Sequence, residues 1–218
     1  MEIGTGIART DCQTARKGTV LLLVASFVMG LCISGPAIAG GAFGIEQGTP
    51  ISAFPDAKPV SGRSGGYQVF QISSPPKPHD EFKSYLLVTT PATGICKILG
   101  LGKKHQWDRS GSEIRTSFNS MKEALISKYG VSDNVDDIQA TSIWKGLNEF
   151  SMALTNKERF LLSYWDRSKG STMPDDINTV GLQANAEGGL DTYLTINYEF
   201  SNFKQCQEEQ KKRDNSGL

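Results

Sequence analysis

The sequence predicts an α+β fold, with antiparallel meander sheets packed against one long and one short helix. Three runs over 67–102 are rich in aromatic, aliphatic and β-branched residues and are separated by turns, which is typical of a meander. Residues 112–129 repeat apolar side chains at helical spacing, and 180–200 alternate apolar and polar residues around a turn. A short helix and meander followed by a long helix and meander also suggests a tandem αβββ arrangement.

The composition excludes two broad classes of function. The 218 residues include 23 Lys and Arg against 23 Asp and Glu. This balance argues against nucleic acid as a partner, because counterion release needs a local excess of cations. Only two His are present, which excludes a His-rich metal site. We therefore expect neither a metal nor another cofactor.

The N-terminus has the three-part layout of a secretory signal peptide at 1–39. Arg16 and Lys17 precede an apolar run over 20–33, and small residues at 37–39 follow a Gly-Pro break. We expect cleavage after the last of these. The alternative is an uncleaved membrane anchor, since no charged residue lies between Lys17 and Glu46.

Cleavage would leave an exported domain at 40–206, with 42–105 and 106–206 as candidate halves. A charged, polar tail at 207–218 follows, and we expect it to be frayed. The expected localisation is periplasmic or secreted, without a stable membrane anchor after cleavage.

Two cysteines remain in the exported domain, Cys96 and Cys206. In an oxidising compartment they most economically form one disulfide, and two free buried thiols are the alternative. A cysteine nucleophile is not expected, because Cys96 lies in a strand pattern with no nearby base.

The N-terminal half begins with a short helix. Thr49 is its expected N-cap and Pro50 its first helical position. The strands of the first meander are then expected at 67–72, 82–90 and 95–102.

The segment 112–129 is the most regular helix. Ser112 is the expected cap, Glu113 suits the positive helix N-terminus, and Gly130 ends the helix. One face carries an apolar stripe of Ile114, Phe118, Met121, Leu125 and Tyr129.

The rest of the chain is less regular. Residues 131–139 are acidic and indicate a loop. The segment 150–165 fits either a helix or a hairpin that turns at 155–158, and its aromatic residues favour the hairpin. The final hairpin at 180–200 turns at 187–189.

The element order resembles two kinds of envelope protein. One is the secreted β-lactamase-inhibitor type, built from tandem αβββ units, and the other is the αβββ module of the outer-membrane assembly lipoprotein BamE. The segment FGIEQGTP at 43–50 is similar to the Gly-spaced start of such modules. The resemblance implies protein binding in the envelope rather than catalysis. No functional residue transfers, and the lipid-attachment cysteine of the BamE type is absent.

Candidate catalytic residues are few. Residues 62–66 match G-x-S-x-G, but the strand and helix that flank a nucleophile elbow are missing, so we interpret them as a flexible loop. His105 with Asp108, and His79 with Asp80, are the candidate acid–base pairs of a small hydrolase. We expect no catalytic residue, and we keep this hydrolase and a small apolar ligand carrier as alternatives.

Aromatic residues near loops and strand ends are the candidate partner-binding residues. Trp107, Trp144 and Tyr193 belong to this group, and Asn197 lies on the polar face of the last strand. Trp and Tyr anchor interfaces, although they are also common in cores. We therefore expect an exported, non-enzymatic protein-binding module of the inhibitor, immunity or envelope-assembly accessory type. Its partner would be another exported or envelope protein.

Overall fold

A computed structural model describes residues 41–60, 67–174, 176–188 and 190–216. The expected signal peptide and the serine motif at 62–66 lie outside these residues. Among the described residues, no helix has both the length and the apolar character needed to cross a membrane.

Within the described ranges, eight antiparallel strands form one open sheet. In chain order they are β1 (Lys58–Pro59), β2 (Gln68–Ile72), β3 (Phe82–Thr90), β4 (Gly94–Gly102), β5 (Asp133–Ile138), β6 (Arg159–Asp166), β7 (Ile177–Glu187) and β8 (Asp191–Phe200). Their order in the sheet is β1-β2-β3-β4-β8-β7-β6-β5. The sheet is therefore two four-stranded meanders joined where β4 pairs with β8, which confirms the predicted antiparallel α+β fold.

In the described part of the chain, three helices accompany the sheet, α1 (Ser112–Tyr129), α2 (Phe150–Thr155) and α3 (Phe203–Asn215). Short 3-10 turns lie at Ile51–Ala53 and Arg167–Lys169. Each meander has one strand more than an αβββ unit, because β1 and β5 form the two outer edges of the sheet.

One face of the sheet packs against α1. Strand β8 alternates regularly, which places one set of its side chains in the core and the other on the face away from α1. The apolar stripe of α1 packs into the same core, with Met121 half-buried at its margin. The buried residues of α1 and β8 in this core are Ile114, Phe118, Leu125, Tyr129, Leu194, Ile196, Tyr198 and Phe200.

The expectation of an acidic loop at 131–139 is wrong. This segment contains β5, which pairs with β6 in a regular antiparallel register. Asp136 accepts a hydrogen bond from Arg159 at 2.6 Å, and Asp133 accepts one from Lys169 at 3.0 Å. Acidic residues are tolerated because β5 is an edge strand, where charge also discourages pairing with other chains.

The segment 150–165 is neither the favoured hairpin nor a single helix. Phe150 and Leu154 are buried one turn apart on α2. Lys157 then has a φ of 58°, which ends the helix, and the strand alternation of β6 begins two residues later. The segment thus contains a helix followed by a strand, and periodicity alone does not locate the boundary between them.

The first turn of regular structure begins later than expected. The 3-10 turn starts at Ile51, so Pro50 is its N-cap and Thr49 lies outside it. The Thr49 hydroxyl donates a hydrogen bond to the carbonyl of Glu46 at 2.8 Å instead of capping the turn.

The predicted cysteine pair is confirmed, because Cys96 and Cys206 lie at disulfide-bonding distance with their Cα atoms 6.5 Å apart. Both are fully buried, on β4 and α3. The pair is compatible with an oxidising compartment. The expected frayed tail is helical as far as Asn215, and the disulfide holds this helix against the sheet.

A second contact explains why α3 forms. The Glu209 carboxylate accepts hydrogen bonds from the backbone N–H groups of Ala92 and Thr93 at 3.0 and 3.1 Å. The Asn202 amide donates to the carbonyl of Ile95 at 3.1 Å. Charged residues that look solvated in the sequence therefore dock α3 on the β3–β4 turn.

Candidate functional site

Two loops meet at the end of the sheet where α1 begins, and we call them the loop pair. The first, at 103–111, joins β4 to α1, and the second, at 139–149, joins β5 to α2. The Ser151 hydroxyl donates to the carbonyl of Asp108, and the Ser151 N–H donates to the carbonyl of Arg109 at 3.3 Å. Arg109 Nε in turn donates to the carbonyl of Asn148 at 3.1 Å. The two Ser151 bonds fasten the first loop to the start of α2, and the Arg109 bond fastens it to the second loop.

A buried carboxylate anchors the first loop. Asp108 is 5% exposed, and its oxygens accept hydrogen bonds from the backbone N–H groups of Glu113 at 3.3 Å and Ile114 at 2.9 Å. The same carboxylate accepts the hydroxyl of Thr192 at 3.0 Å. Asp108 therefore caps the positive end of α1 and ties it to β8.

The expected cap Ser112 does not have this role. Gly111 occupies the N-cap position with a φ of 71°, and a Cβ there would overlap the ring of Phe150. The Arg115 and Arg159 guanidinium groups lie 5.1 and 4.6 Å from the centroid of that ring. Close packing at Gly111 and these cation–π contacts hold α2 against the start of α1.

Trp107 lies between two fixed points of the first loop. On one side the backbone of His105 exchanges hydrogen bonds with Thr192 at 2.8 and 3.0 Å, and on the other side Asp108 is anchored as above. Trp107 has a φ of 61°, a conformation that is unfavourable for a bulky residue. Its side chain is 78% exposed, so this indole is held out into solvent.

Further apolar side chains are exposed on the second loop. Ile143 is 77% and Leu147 is 94% exposed, and Trp144 is half-buried between them. The structure describes four large apolar residues that are this exposed, and three of them lie on the loop pair. The fourth, Val131, follows the other end of α1. We call Trp107, Ile143, Trp144 and Leu147 the loop patch.

The other two candidate partner-binding residues lie on β8, on the sheet face away from α1. Tyr193 is half-buried next to Thr192, and thus at the same end of the sheet as the loop pair. Asn197 lies in the middle of β8, directly across from Gly181 of β7. A shallow hollow of about 300 Å³ opens there, lined among others by Leu99 and Asn197. Trp107 and Trp144 thus lie on the two loops that the Arg109–Asn148 hydrogen bond joins, whereas Asn197 lies in the middle of β8.

Neither candidate acid–base pair forms. The two ring nitrogens of His105 lie near other carboxylates, Nε2 at 3.5 Å from Glu81 and Nδ1 at 3.4 Å from Glu113, and within the described part of the structure Nε2 and the facing Glu81 oxygen are buried without a hydrogen bond. The carboxylate of Asp108 caps α1 and does not face this ring. His79 Nδ1 accepts the backbone N–H of Glu81 at 3.1 Å. Among the described residues, no cluster of three or more His, Cys, Asp or Glu side chains is arranged to hold a metal ion.

The sequence predicted Trp107 and Trp144 as candidate partner-binding residues but gave no prediction for the exposed Ile143 and Leu147 or for the anchoring role of Asp108. One signal was available: residues 143–147 are apolar at both ends and follow neither a helical nor a strand period. The anchoring role of Asp108 could not be seen in the sequence because one of its partners, Thr192, lies 84 positions further along the chain.

The sequence matches no known family, and no curated protein and no solved structure matches the chain. The function must therefore be argued from the geometry of the loop pair.

Proposed function

We propose that this chain is an exported, non-enzymatic module that binds another exported or envelope protein through the loop patch. One observation carries the proposal: Trp107 is exposed on a backbone fixed on both sides and held at positive φ. Non-glycine residues in such conformations persist only where the surroundings impose them, and they concentrate at functional sites. A fixed indole offers a large contact area and loses little conformational entropy on binding.

The composition of the loop patch supports this proposal. Exposed apolar side chains are ordinary when scattered, but a group of them on one surface marks an interaction site. Exposure of the apolar side chains of Leu147 and Ile143 to water is unfavourable. Both lie on a loop that is hydrogen-bonded to the loop that carries Trp107. Trp is also the residue type most enriched among interface residues that dominate binding energy.

The hydrolase alternative has weaker support at its two candidate pairs. The expected pairing of His105 with Asp108 does not form, because the neighbours of the His105 ring are Glu81 and Glu113, and Asp108 accepts hydrogen bonds from Ile114 and Thr192. Asp108 cannot orient that imidazole while it caps α1. The ligand-carrier alternative would use the hollow above Gly181, which mixes Leu99 and Leu162 with Lys97. Native mass spectrometry that finds a retained adduct would favour it.

The proposal is tested by placing a photo-crosslinking amino acid, p-benzoylphenylalanine, at position 107 in the cell that naturally exports the protein. The matched control carries the same residue in place of Val131, which is 85% exposed and lies past the other end of α1. We expect one discrete adduct with a second protein from position 107 and none from position 131. Equal adducts from both positions, or none from position 107, would contradict the proposal.

A second variant tests the role of the indole itself. With the crosslinker at position 147, W107A should reduce the yield of the same adduct by about tenfold or more, as expected for a dominant interface residue. W107A should leave the free energy of unfolding almost unchanged, because the side chain is largely exposed. An unchanged adduct yield would exclude Trp107 as an anchor.

A further inference from the structure

We infer that the partner presents an acidic protein surface to the loop patch, an inference that rests on the proposed function. The observation is a group of four exposed cations on the loop pair and the first turn of α1 that make no ion pair within the described residues, namely Lys103, Arg109, Arg115 and Lys145. Lys104, on the same loop as Lys103, is instead paired with Glu187 and Asp191.

The cations beside the loop patch donate to backbone carbonyls instead. Arg109 Nε donates to Asn148 as above, Lys145 Nζ donates to the carbonyl of Ala140 at 2.6 Å, and Arg115 Nε donates to that of Gly111 at 3.1 Å. A carbonyl accepts a hydrogen bond but does not neutralise the charge. These three side chains belong to exposed residues, so their charge is available to a partner.

Lys103 adds a fourth cation at the start of the first loop. It is exposed, and within the described residues its ammonium group makes no ion pair. Two exposed or half-exposed carboxylates lie on the same elements. Glu113 faces His105, and Glu149 accepts the backbone N–H of Gly146 at 2.7 Å. On the loop pair and the first turn of α1, the four exposed cations without an ion pair therefore outnumber the two carboxylates that are not buried, although the chain as a whole carries a net charge of zero.

An apolar centre with a cationic surround fits a partner whose apolar contact is surrounded by carboxylates. Such complementarity speeds encounter and selects the orientation of docking. Arg109 retains guanidinium N–H donors that are free for a carboxylate, and charge-assisted bonds of this kind are strong. An anionic bilayer would also attract these cations, but binding to a bilayer does not require a loop of fixed conformation. The backbone around Trp107 is held in one conformation, which favours a protein partner of defined shape.

The test measures the adduct formed from the crosslinker at position 107 in K103Q/K145Q. Both lysines are exposed and neither makes an ion pair in the described chain, so the fold should be unaffected. The matched control is K211Q/K212Q, which removes the same charge from exposed positions of α3. We expect the adduct yield to fall roughly fivefold or more in K103Q/K145Q and to stay at the wild-type level in the control.

Salt and vesicles separate the remaining outcomes. Raising NaCl from about 50 to about 500 mM should reduce the wild-type adduct and affect K103Q/K145Q much less, because screening removes the same attraction. A wild-type yield in K103Q/K145Q would refute the acidic partner and leave the proposed function intact, whereas the absence of any adduct would refute the proposed function. The vesicle test compares flotation of the chain with pure phosphatidylcholine and with phosphatidylcholine that contains phosphatidylglycerol. Flotation with the anionic vesicles alone, abolished by K103Q/K145Q, would show that these cations bind a membrane and would overturn the inference of an acidic protein partner.

Discussion

Replacing Asp108 with Ala tests whether one buried carboxylate holds α1, β8 and the loop pair together. The change removes the acceptor of the Glu113 and Ile114 N–H groups and of the Thr192 hydroxyl. Loss of the helix cap should cost about 1 kcal/mol. Loss of a charge-assisted hydrogen bond that leaves a fully buried hydroxyl unpaired should cost about 2 kcal/mol. We therefore expect the free energy of unfolding to fall by about 3 kcal/mol.

The assay is urea denaturation followed by circular dichroism, with the disulfide intact, for D108A, T192V and the double variant. T192V removes the hydroxyl that D108A would leave unpaired, so the double variant should lose less stability than the sum of the two single variants. D108N keeps an acceptor oxygen and should lose about 1 kcal/mol. The reasoning is refuted if D108A lies within about 0.5 kcal/mol of the wild type, or if the two effects add.

Three further changes test the fold. Gly111→Ala adds a Cβ that overlaps the Phe150 ring, at a position with positive φ, and should lower the free energy of unfolding in urea by about 2 kcal/mol or more. The control Gly170→Ala has a φ of 94° but open space around it and should cost about 1 kcal/mol. Equal losses would exclude the steric clash. Replacing Cys96 and Cys206 with Ala opens a cross-link over 110 residues and should cost about 4 kcal/mol, which denaturation of the wild type in dithiothreitol should reproduce. Burial raises the pKa of Glu209, but the hydrogen bonds that its carboxylate accepts outweigh burial and lower the pKa below the ordinary 4.5. The ionised carboxylate therefore stabilises the folded chain above that pH, and this contribution is lost as the pH falls through the folded-state pKa. Glu209→Gln should therefore be destabilising at neutral pH and should show a smaller loss of stability than the wild type on acidification below about pH 4.5, and parallel pH profiles would contradict this.

The strands and helices that could be predicted from the sequence are those with strong local patterns. The bounds of β3 and α1 agree with the expected 82–90 and 112–129 at both ends. In α1 the stripe places five apolar residues between Ile114 and Tyr129, and Gly130 ends the helix at a φ of 79°. Amphipathic periodicity determines these elements because each residue reports the face that it buries.

Strand β5 and helix α3 could not be predicted in this way. Neither Asp133–Ile138 nor Phe203–Asn215 has a strong apolar period, and both depend on partners elsewhere in the chain. The first is a strand because it pairs with β6, and the second is docked by Cys206 and Glu209. Backbone pairing and docking contacts override weak local preference.

In the candidate site, too, some features could be predicted from the sequence and others could not. The sequence alone was sufficient to place Trp107 and Trp144 in loops and to pair Cys96 with Cys206. That Trp107 lies between anchored residues, on a loop bonded to a second loop with exposed apolar residues, depended on tertiary contacts such as that of Arg109 with Asn148, 39 residues away. Periodicity indicates which face of an element is buried. It does not indicate which distant backbone group a buried carboxylate will bind. Only the folded chain decides which side chains are held out into water on a rigid support.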